Sequence, residues 1–423
     1  MLKFYFLLFM LTLTGSKCSK EIPKPEPSII NSEHLDHLYQ EIEIDSLKLG
    51  TIWIYSNAPD YNLVTDQDEG FTCIDDVSRA LVFYCRQYKV NPLQKYLDKI
   101  KSLSSFIMYM RAPNGYYYNF MFPDKQINKV HQNSKPTPNF WSWRAYWALS
   151  EFSLVDSGEL QDLQVEAQNQ LSLLTQKIGI LFQQPDELIE VEGLTISKRI
   201  ADFGGDQMSV ILLGLTNYYR INPNETIKNL MQNIGESILS AQFGNKKTFP
   251  YGAFLSWKNI WHAWGNTQAY ALLKAGKELH NEVFITSALK EVDNFFTYRQ
   301  KQLYLHQFYI KKVNDSIQMY NLEKFPQIAY NISPMILASI EAYNITKSEK
   351  YAVQAGQLSG WFFGKNAANK QMVNTESGVV FDGIDSGENV NVNSGAESTI
   401  EALLALQAIE TSPTALQILK SNR

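Results

Sequence analysis

The sequence predicts an all-α fold, an (α/α)6 toroid of six helical hairpins in two concentric rings spanning residues 32–423. Helical periodicity dominates after residue 30, and helical segments of two kinds alternate along the chain. Segments 32–44, 92–110, 159–178, 224–242, 281–298 and 348–363 each carry a charged or amide-rich face. Segments 76–88, 141–152, 206–219, 266–275, 333–343 and 396–409 are apolar nearly all round and rich in small residues. A helix apolar on every side must be enclosed by protein, whereas a one-faced helix lies outside. The first set therefore reads as the outer ring and the second as the inner ring. An open solenoid would show repeats alike in length and motif. Here the segments leading into the inner helices differ, and those at 114–139 and 377–394 are long and loaded with Gly, Asn and aromatic or acidic residues. Long connections in a compact domain are more often functional than incidental. All of them lead into N-termini of inner helices, so one end of the inner ring is where a site is expected.

Ahead of this domain, residues 1–18 read as an export signal, with Lys3 preceding an apolar stretch from Phe4 to Leu13. That stretch is too short to span a bilayer. Its end resembles a bacterial lipoprotein signal, in which Cys18 would be lipidated, although Lys17 departs from the usual small residue and simple cleavage is the alternative. Residues 19–31 hold three prolines in a polar run, which suits an extended tether. The expected location is the periplasm or, as a lipoprotein, the outer membrane or cell surface. A lipid on Cys18 is the only membrane contact expected.

Composition removes several function classes. The chain has 38 Lys plus Arg against 43 Asp plus Glu, a net charge of −5, which disfavours a nucleic-acid binder. With 45% hydrophobic and 19% charged residues it is not a disordered chain. Aromatics make up 13%, more than a core alone usually demands, and sugar-binding clefts are one destination for the excess. Apart from Cys18, only Cys73 and Cys85 remain, and they read as two buried free thiols, with a bridge between them in an oxidising compartment as the alternative. The six histidines are scattered without metal-ligand spacing, and Asp66-Gln67-Asp68-Glu69 lacks the rest of a calcium loop, so no metal is expected. No P-loop or dinucleotide fingerprint is present, and no cofactor is expected.

Four clusters stand at or just before inner-helix starts. In the first, Asp75 and Asp76 are adjacent, so one can cap its helix while the other faces the cavity. In the second, Gly204-Gly205 allows close backbone approach beside Asp206. The third groups Trp261, His262, Trp264, Asn266 and Gln268 with Trp141, Trp143 and Arg144, and its tryptophan faces can stack on sugar rings. Trp261 and Trp264 are three apart, which puts both rings on one side of a helical segment. The fourth contains Asp382 and Glu397, the latter in the first turn of the last inner helix. This inventory of carboxylates, amides and tryptophans is what glycoside cleavage needs: a proton donor, a carboxylate to activate water or attack, and flat surfaces for sugar rings. Asp75, Asp76, Asp206 and Glu397 are the catalytic candidates, and Asp382 joins the third cluster's residues as a substrate contact.

The hairpin pattern resembles the six-hairpin glycosidase superfamily over essentially the whole mature chain. The stretches Asp75-Asp76-Val77-Ser78-Arg79-Ala80-Leu81, Trp361-Phe362-Phe363-Gly364-Lys365-Asn366, Phe381-Asp382-Gly383-Ile384 and Asn391-Val392-Asn393-Ser394-Gly395-Ala396-Glu397-Ser398-Thr399 resemble a toroid module of bacterial carbohydrate-active, glycosyltransferase-associated proteins. The resemblance implies a carbohydrate substrate and, by analogy with toroid glycosidases, inversion, but it carries over no catalytic pair. The expectation is an exported glycoside hydrolase of oligo- or polysaccharides. Its rivals are a non-catalytic glycan-binding toroid and a polysaccharide lyase, for which an electropositive cleft would speak.

Overall fold

Residues 28–421 are described by the computed structural model. The export signal, Cys18 and residues 19–27 of the expected tether lie outside the described residues. The helices in chain order are α1 (Glu33–Leu38), α2 (Ile74–Val90), α3 (Gln94–Tyr109), α4 (Phe140–Phe152), α5 (Gln161–Leu181), α6 (Lys198–Phe203), α7 (Gly205–Ile221), α8 (Glu225–Ser240), α9 (Gln268–Leu279), α10 (Glu282–Lys301), α11 (Ser333–Thr346), α12 (Glu349–Ser359), α13 (Ala396–Glu410) and α14 (Pro413–Ser421). Helices α2, α4, α7, α9, α11 and α13 form the inner ring, each packing on the next, and α13 packs back on α2. This closure makes the molecule an (α/α)6 toroid rather than an open array. Tight seams hold it: a Cβ on Gly214 of α7 would come within 2.4 Å of the Tyr146 ring of α4.

The outer ring follows from one-faced patterns. In α3, Leu97, Ile100, Leu103 and Ile107 are buried at helical spacing. Helix α8 starts where the Asn224 side chain accepts the Ile227 N–H, and α10 starts where Asn281 accepts from Val283 and Phe284.

The expected outer helix at 32–44 is not one. Only α1 is helical there, and Tyr39–Ile44 is a strand paired antiparallel with Leu47–Ile52. Within it Glu41-Ile42-Glu43-Ile44 alternates with period two. Its two-residue turn, Asp45-Ser46, has φ of 48° and 68°, the left-handed geometry that matches strand twist. This hairpin packs on α3, and the sixth outer helix is α14, beyond the last predicted segment, packed on α12 and α13. Each helical hairpin therefore runs from inner to outer ring.

The last residues of the expected tether belong to the packed body. Ile29 is buried, and Glu410 Oε1 accepts from Ser28 Oγ at 2.7 Å and from the Ile29 N–H at 2.6 Å. Cys73 and Cys85 are buried free thiols. Among the described residues no helix is long and apolar enough to cross a membrane.

Candidate active site

A short strand carries the chain directly into the first inner helix. The pair Thr72–Cys73 with Phe120–Met121 delivers α2, whose Asp75 N–H bonds to Asn119 Oδ1 at 3.3 Å. From this first turn Asp75 Oδ2 reaches Arg144 Nη1 of α4 at 2.9 Å, and Arg144 Nη2 donates to the Tyr330 hydroxyl at 3.1 Å. One turn further along α2, Arg79 bonds Asp76 at 2.6 Å, Glu397 at 3.0 Å and Glu401 at 3.2 Å, and its guanidinium lies 5.2 Å from the Tyr330 ring centroid. Tyr330 thus stands between two guanidinium groups. Cys73 Sγ donates to Asp76 Oδ2 at 3.1 Å, and Ser333 Oγ bonds to Glu401.

A cleft with two arms lies over this network. The larger arm, about 370 Å³, is lined by Asp75, Arg144, Trp141, Trp264, Tyr330 and Glu397. The other, about 310 Å³, is lined by Tyr55, Asp382, Asp385, Asn391, Glu397 and Ser398. Glu397 and Ile328 border both arms. The Glu397 side chain is 43% exposed and that of Asp75 20%, whereas Asp76 and Glu401 lie beneath at 4%.

Electrostatics follows depth. Burial pushes the Asp76 and Glu401 carboxyls up, and Arg79 pulls each back only in part. Burial opposes the charge on Arg79, but Glu397, Asp76 and Glu401 hold its pKa well above the ordinary guanidinium value. The Asp382 carboxyl is also raised by burial, against the pull of Ser398 and the Gly395 N–H. Both of those bonds, at 2.6 and 2.7 Å, go to Asp382 Oδ1.

The structure brings together Asp75, Trp141, Arg144, Trp264, Asp382 and Glu397 on the cleft, with Asp76 directly below. It does not bring Asp206 there. Asp206 is 5% exposed, with Oδ1 accepting the Gln207 N–H and Oδ2 lying 3.0 Å from Nε2 of the equally buried His262. Trp143 is fully buried and donates to Gln207. Trp261 is fully buried against Phe295 and Phe308. The expected shared face for Trp261 and Trp264 fails because Ile260–His262 is a strand, whose neighbours point to opposite sides. Asn266 and Gln268 are buried in the packed start of α9, where Gln268 Nε2 donates to the Leu255 carbonyl at 3.3 Å.

Arg79, Glu401 and Tyr330 were not among the sequence candidates. Two of them carry a signal: Arg79 follows Asp76 by three residues and Glu401 follows Glu397 by four, so each pair shares a helix face. Tyr330 comes from a connection without periodic pattern and carries none.

No family model and no curated protein matches the sequence. Among solved structures, the chain is similar to cellobiose 2-epimerase from Bacillus thermoamylovorans B4167, with TM-score 0.61 and 14% identity over 89% of this chain and 95% of that one. It is similar to a family 76 glycoside hydrolase from a bovine Bacteroides thetaiotaomicron strain, with TM-score 0.57 and 12% identity over 92% and 79%. It is also similar to D-mannose isomerase, with TM-score 0.56 and 12% identity over 94% and 100%. At these identities the likeness shows the fold alone, an (α/α)6 toroid.

Proposed function

We propose that this chain is an exported glycoside hydrolase of oligo- or polysaccharides, acting with inversion at the junction of the two cleft arms. The observation that carries the reading is Glu397, a half-exposed carboxylate bordering both arms, flanked by Asp75 in one and Asp382 in the other. In this mechanism Asp382 is the general acid. Burial raises its pKa, and Oδ1 takes both of its hydrogen bonds, leaving Oδ2 for the proton. Glu397 is the base that activates water, oriented by Arg79. Asp75, held by Arg144, accepts from sugar hydroxyls, and Trp141 and Trp264 border the ring.

A lyase is the weaker reading. Burial pushes the Tyr330 phenol up, which works against proton abstraction by its phenolate. Asp75, Asp76, Glu397 and Glu401 also outnumber Arg79 and Arg144 around the cleft floor. The fold is shared with sugar epimerases and an isomerase, so the assay must score those products too. Purified protein is incubated with a panel of plant, algal and microbial glycans and free disaccharides. New reducing ends of inverted configuration support the proposal. Unsaturated products, isomerised sugar of unchanged mass, or binding without turnover each overturn it.

A further inference from the structure

His262 is pinned at its backbone and at both ring nitrogens. Its N–H donates to Ser256 Oγ at 3.0 Å, and Ser256 Oγ donates to its carbonyl at 3.2 Å. Nδ1 lies 2.8 Å from the Trp264 carbonyl oxygen and Nε2 3.0 Å from Asp206 Oδ2. A carbonyl oxygen only accepts, so Nδ1 carries a hydrogen. Asp206 stands in the first turn of α7 as a carboxylate whose Oδ1 accepts the Gln207 N–H at 2.7 Å. A carboxylate also only accepts, so Nε2 carries a hydrogen as well. An imidazole protonated at both nitrogens is a cation.

That cation lies flat on an aromatic ring. The His262 and Trp264 centroids are 3.8 Å apart with planes 12° from parallel, an arrangement in which charge and indole attract. Trp264 also stacks on His306 at 4.9 Å. The charged or titratable groups around His262 are Asp206 from α7 and His306 from the segment before the strand Gln307–Val313. Beyond them stand Glu323, whose carbonyl accepts the His306 N–H, and Arg299 of α10, which lies over Trp261 on the opposite face of the strand. Burial lowers the His306 pKa, so this neighbour stays neutral where His262 is charged. The site is also built for Asp206: Gly204 has φ of +81°, and a Cβ there would fall 2.3 Å from Asp206 Oδ1.

We infer that Asp206 and the His262 imidazolium form a buried ion pair whose role is to position Trp264, the partly exposed tryptophan of the cleft wall. His262 acts through Trp264 rather than on substrate, so loss of its proton loosens the wall and weakens sugar binding before it slows chemistry. Only the substrate arm of the test rests on the proposed hydrolase activity.

The experiment uses the whole chain labelled with ¹⁵N-histidine, with His262 assigned from the His262→Gln variant. In the absence of substrate, both His262 nitrogens are expected to show protonated shifts at neutral pH. Trp264 fluorescence, taken as the difference between wild type and Trp264→Phe, is expected to be quenched by the imidazolium and to recover along the same titration. In Asp206→Asn, which removes the acceptor charge facing Nε2, the doubly protonated pattern at neutral pH is expected to be lost, and Asp206→Glu restores it. With a turned-over glycan, Asp206→Asn raises KM roughly tenfold with kcat within about twofold. A neutral His262 imidazole in the wild type at neutral pH, or Trp264 fluorescence indifferent to Asp206→Asn, overturns the inference. A folded Asp206→Asn variant that binds glycan normally and loses turnover also overturns it, and returns Asp206 to the catalytic set. If no glycan is turned over, the proposed hydrolase fails while the labelling and fluorescence results still decide this one.

Discussion

Arg144 Nη1 holds Asp75 Oδ2 at 2.9 Å, while Asp75 Oδ1 is buried without a hydrogen-bond partner. The carboxylate is anchored through Oδ2, and the Asp75 side chain keeps 20% of its surface exposed on the cleft. A hydrogen bond to a charged group contributes about 1.5–3 kcal/mol. Asp75→Asn is therefore expected to lower kcat/KM by about 10- to 150-fold with the fold retained, measured by initial rates beside circular dichroism. Unchanged kinetics would remove Asp75 from the site.

The acid and base roles have separate pH signatures. A general acid must be protonated, and the Asp382 carboxyl is raised by burial, so kcat is expected to fall as pH rises through a value above the ordinary carboxylate range. Asp382→Asn should remove that alkaline limb, and Glu397→Gln should leave it while both lower kcat by about 10²- to 10⁴-fold. A pH–rate profile with its limb intact in Asp382→Asn would move the acid role elsewhere.

Arg79 stabilises three carboxylates from below the cleft. Removing one partner of a buried pair typically costs about 3–5 kcal/mol because the charge left behind is uncompensated. In Arg79→Met, Asp76 and Glu401 escape that cost by protonation, so the variant is expected to melt far below wild type at neutral pH and to recover part of the difference in mild acid. Thermal melts across pH test this. An Arg79→Met variant equally destabilised at all pH values would contradict the charge account.

Glu291 offers a stability test away from the cleft. Burial raises its carboxyl to about 8, from the ordinary glutamate value of about 4.5, with the Phe254 N–H and Arg299 opposing. The folded chain keeps a proton that the unfolded chain releases, so this group's contribution is intact below about 4.5 and fades as pH rises through about 8. At pH 7 the loss is roughly 3 kcal/mol, from about 1.4 kcal/mol per unit. Glu291→Gln keeps an oxygen for the Phe254 N–H, which bonds Oε1 at 2.9 Å, and is expected to be more stable than wild type near neutrality but not in acid. Urea titrations at two pH values measure it.

Two tryptophans three residues apart should respond differently to truncation. Trp261→Ala empties a fully buried site and is expected to cost about 3–5 kcal/mol, seen as a large fall in Tm. Trp264→Ala, at the cleft wall, should stay folded and mainly raise KM. A folded Trp264→Ala variant with normal binding and lost turnover would assign Trp264 to the chemistry.

The ring was legible because an enclosed helix has no polar side, and that pattern survives without tertiary knowledge: the predicted 76–88 and 396–409 correspond to Ile74–Val90 and Ala396–Glu410. Tyr39–Ile44 was not legible as a strand because, at six residues, its apolar positions fit either period until the Asp45-Ser46 turn is known. The acidic cluster was located in outline, since Asp75, Asp382 and Glu397 reach the cleft. Asp206 reads the same way in sequence, yet its carboxylate is engaged by His262, 56 residues on, which no local pattern announces. Tyr330 was invisible for the same reason: its partner Arg144 lies 186 residues away.

Arg79 and Glu401 are 322 residues apart, and the bond between them spans the seam where α13 meets α2. During synthesis the first inner helix must therefore wait for the last, with Arg79 lacking two of its three acidic partners until α13 has been made. Contacts this distant in sequence are slow to form. The floor of the cleft is completed in the same step that shuts the ring, so a nascent or truncated chain lacking α13 would present helices without an assembled site.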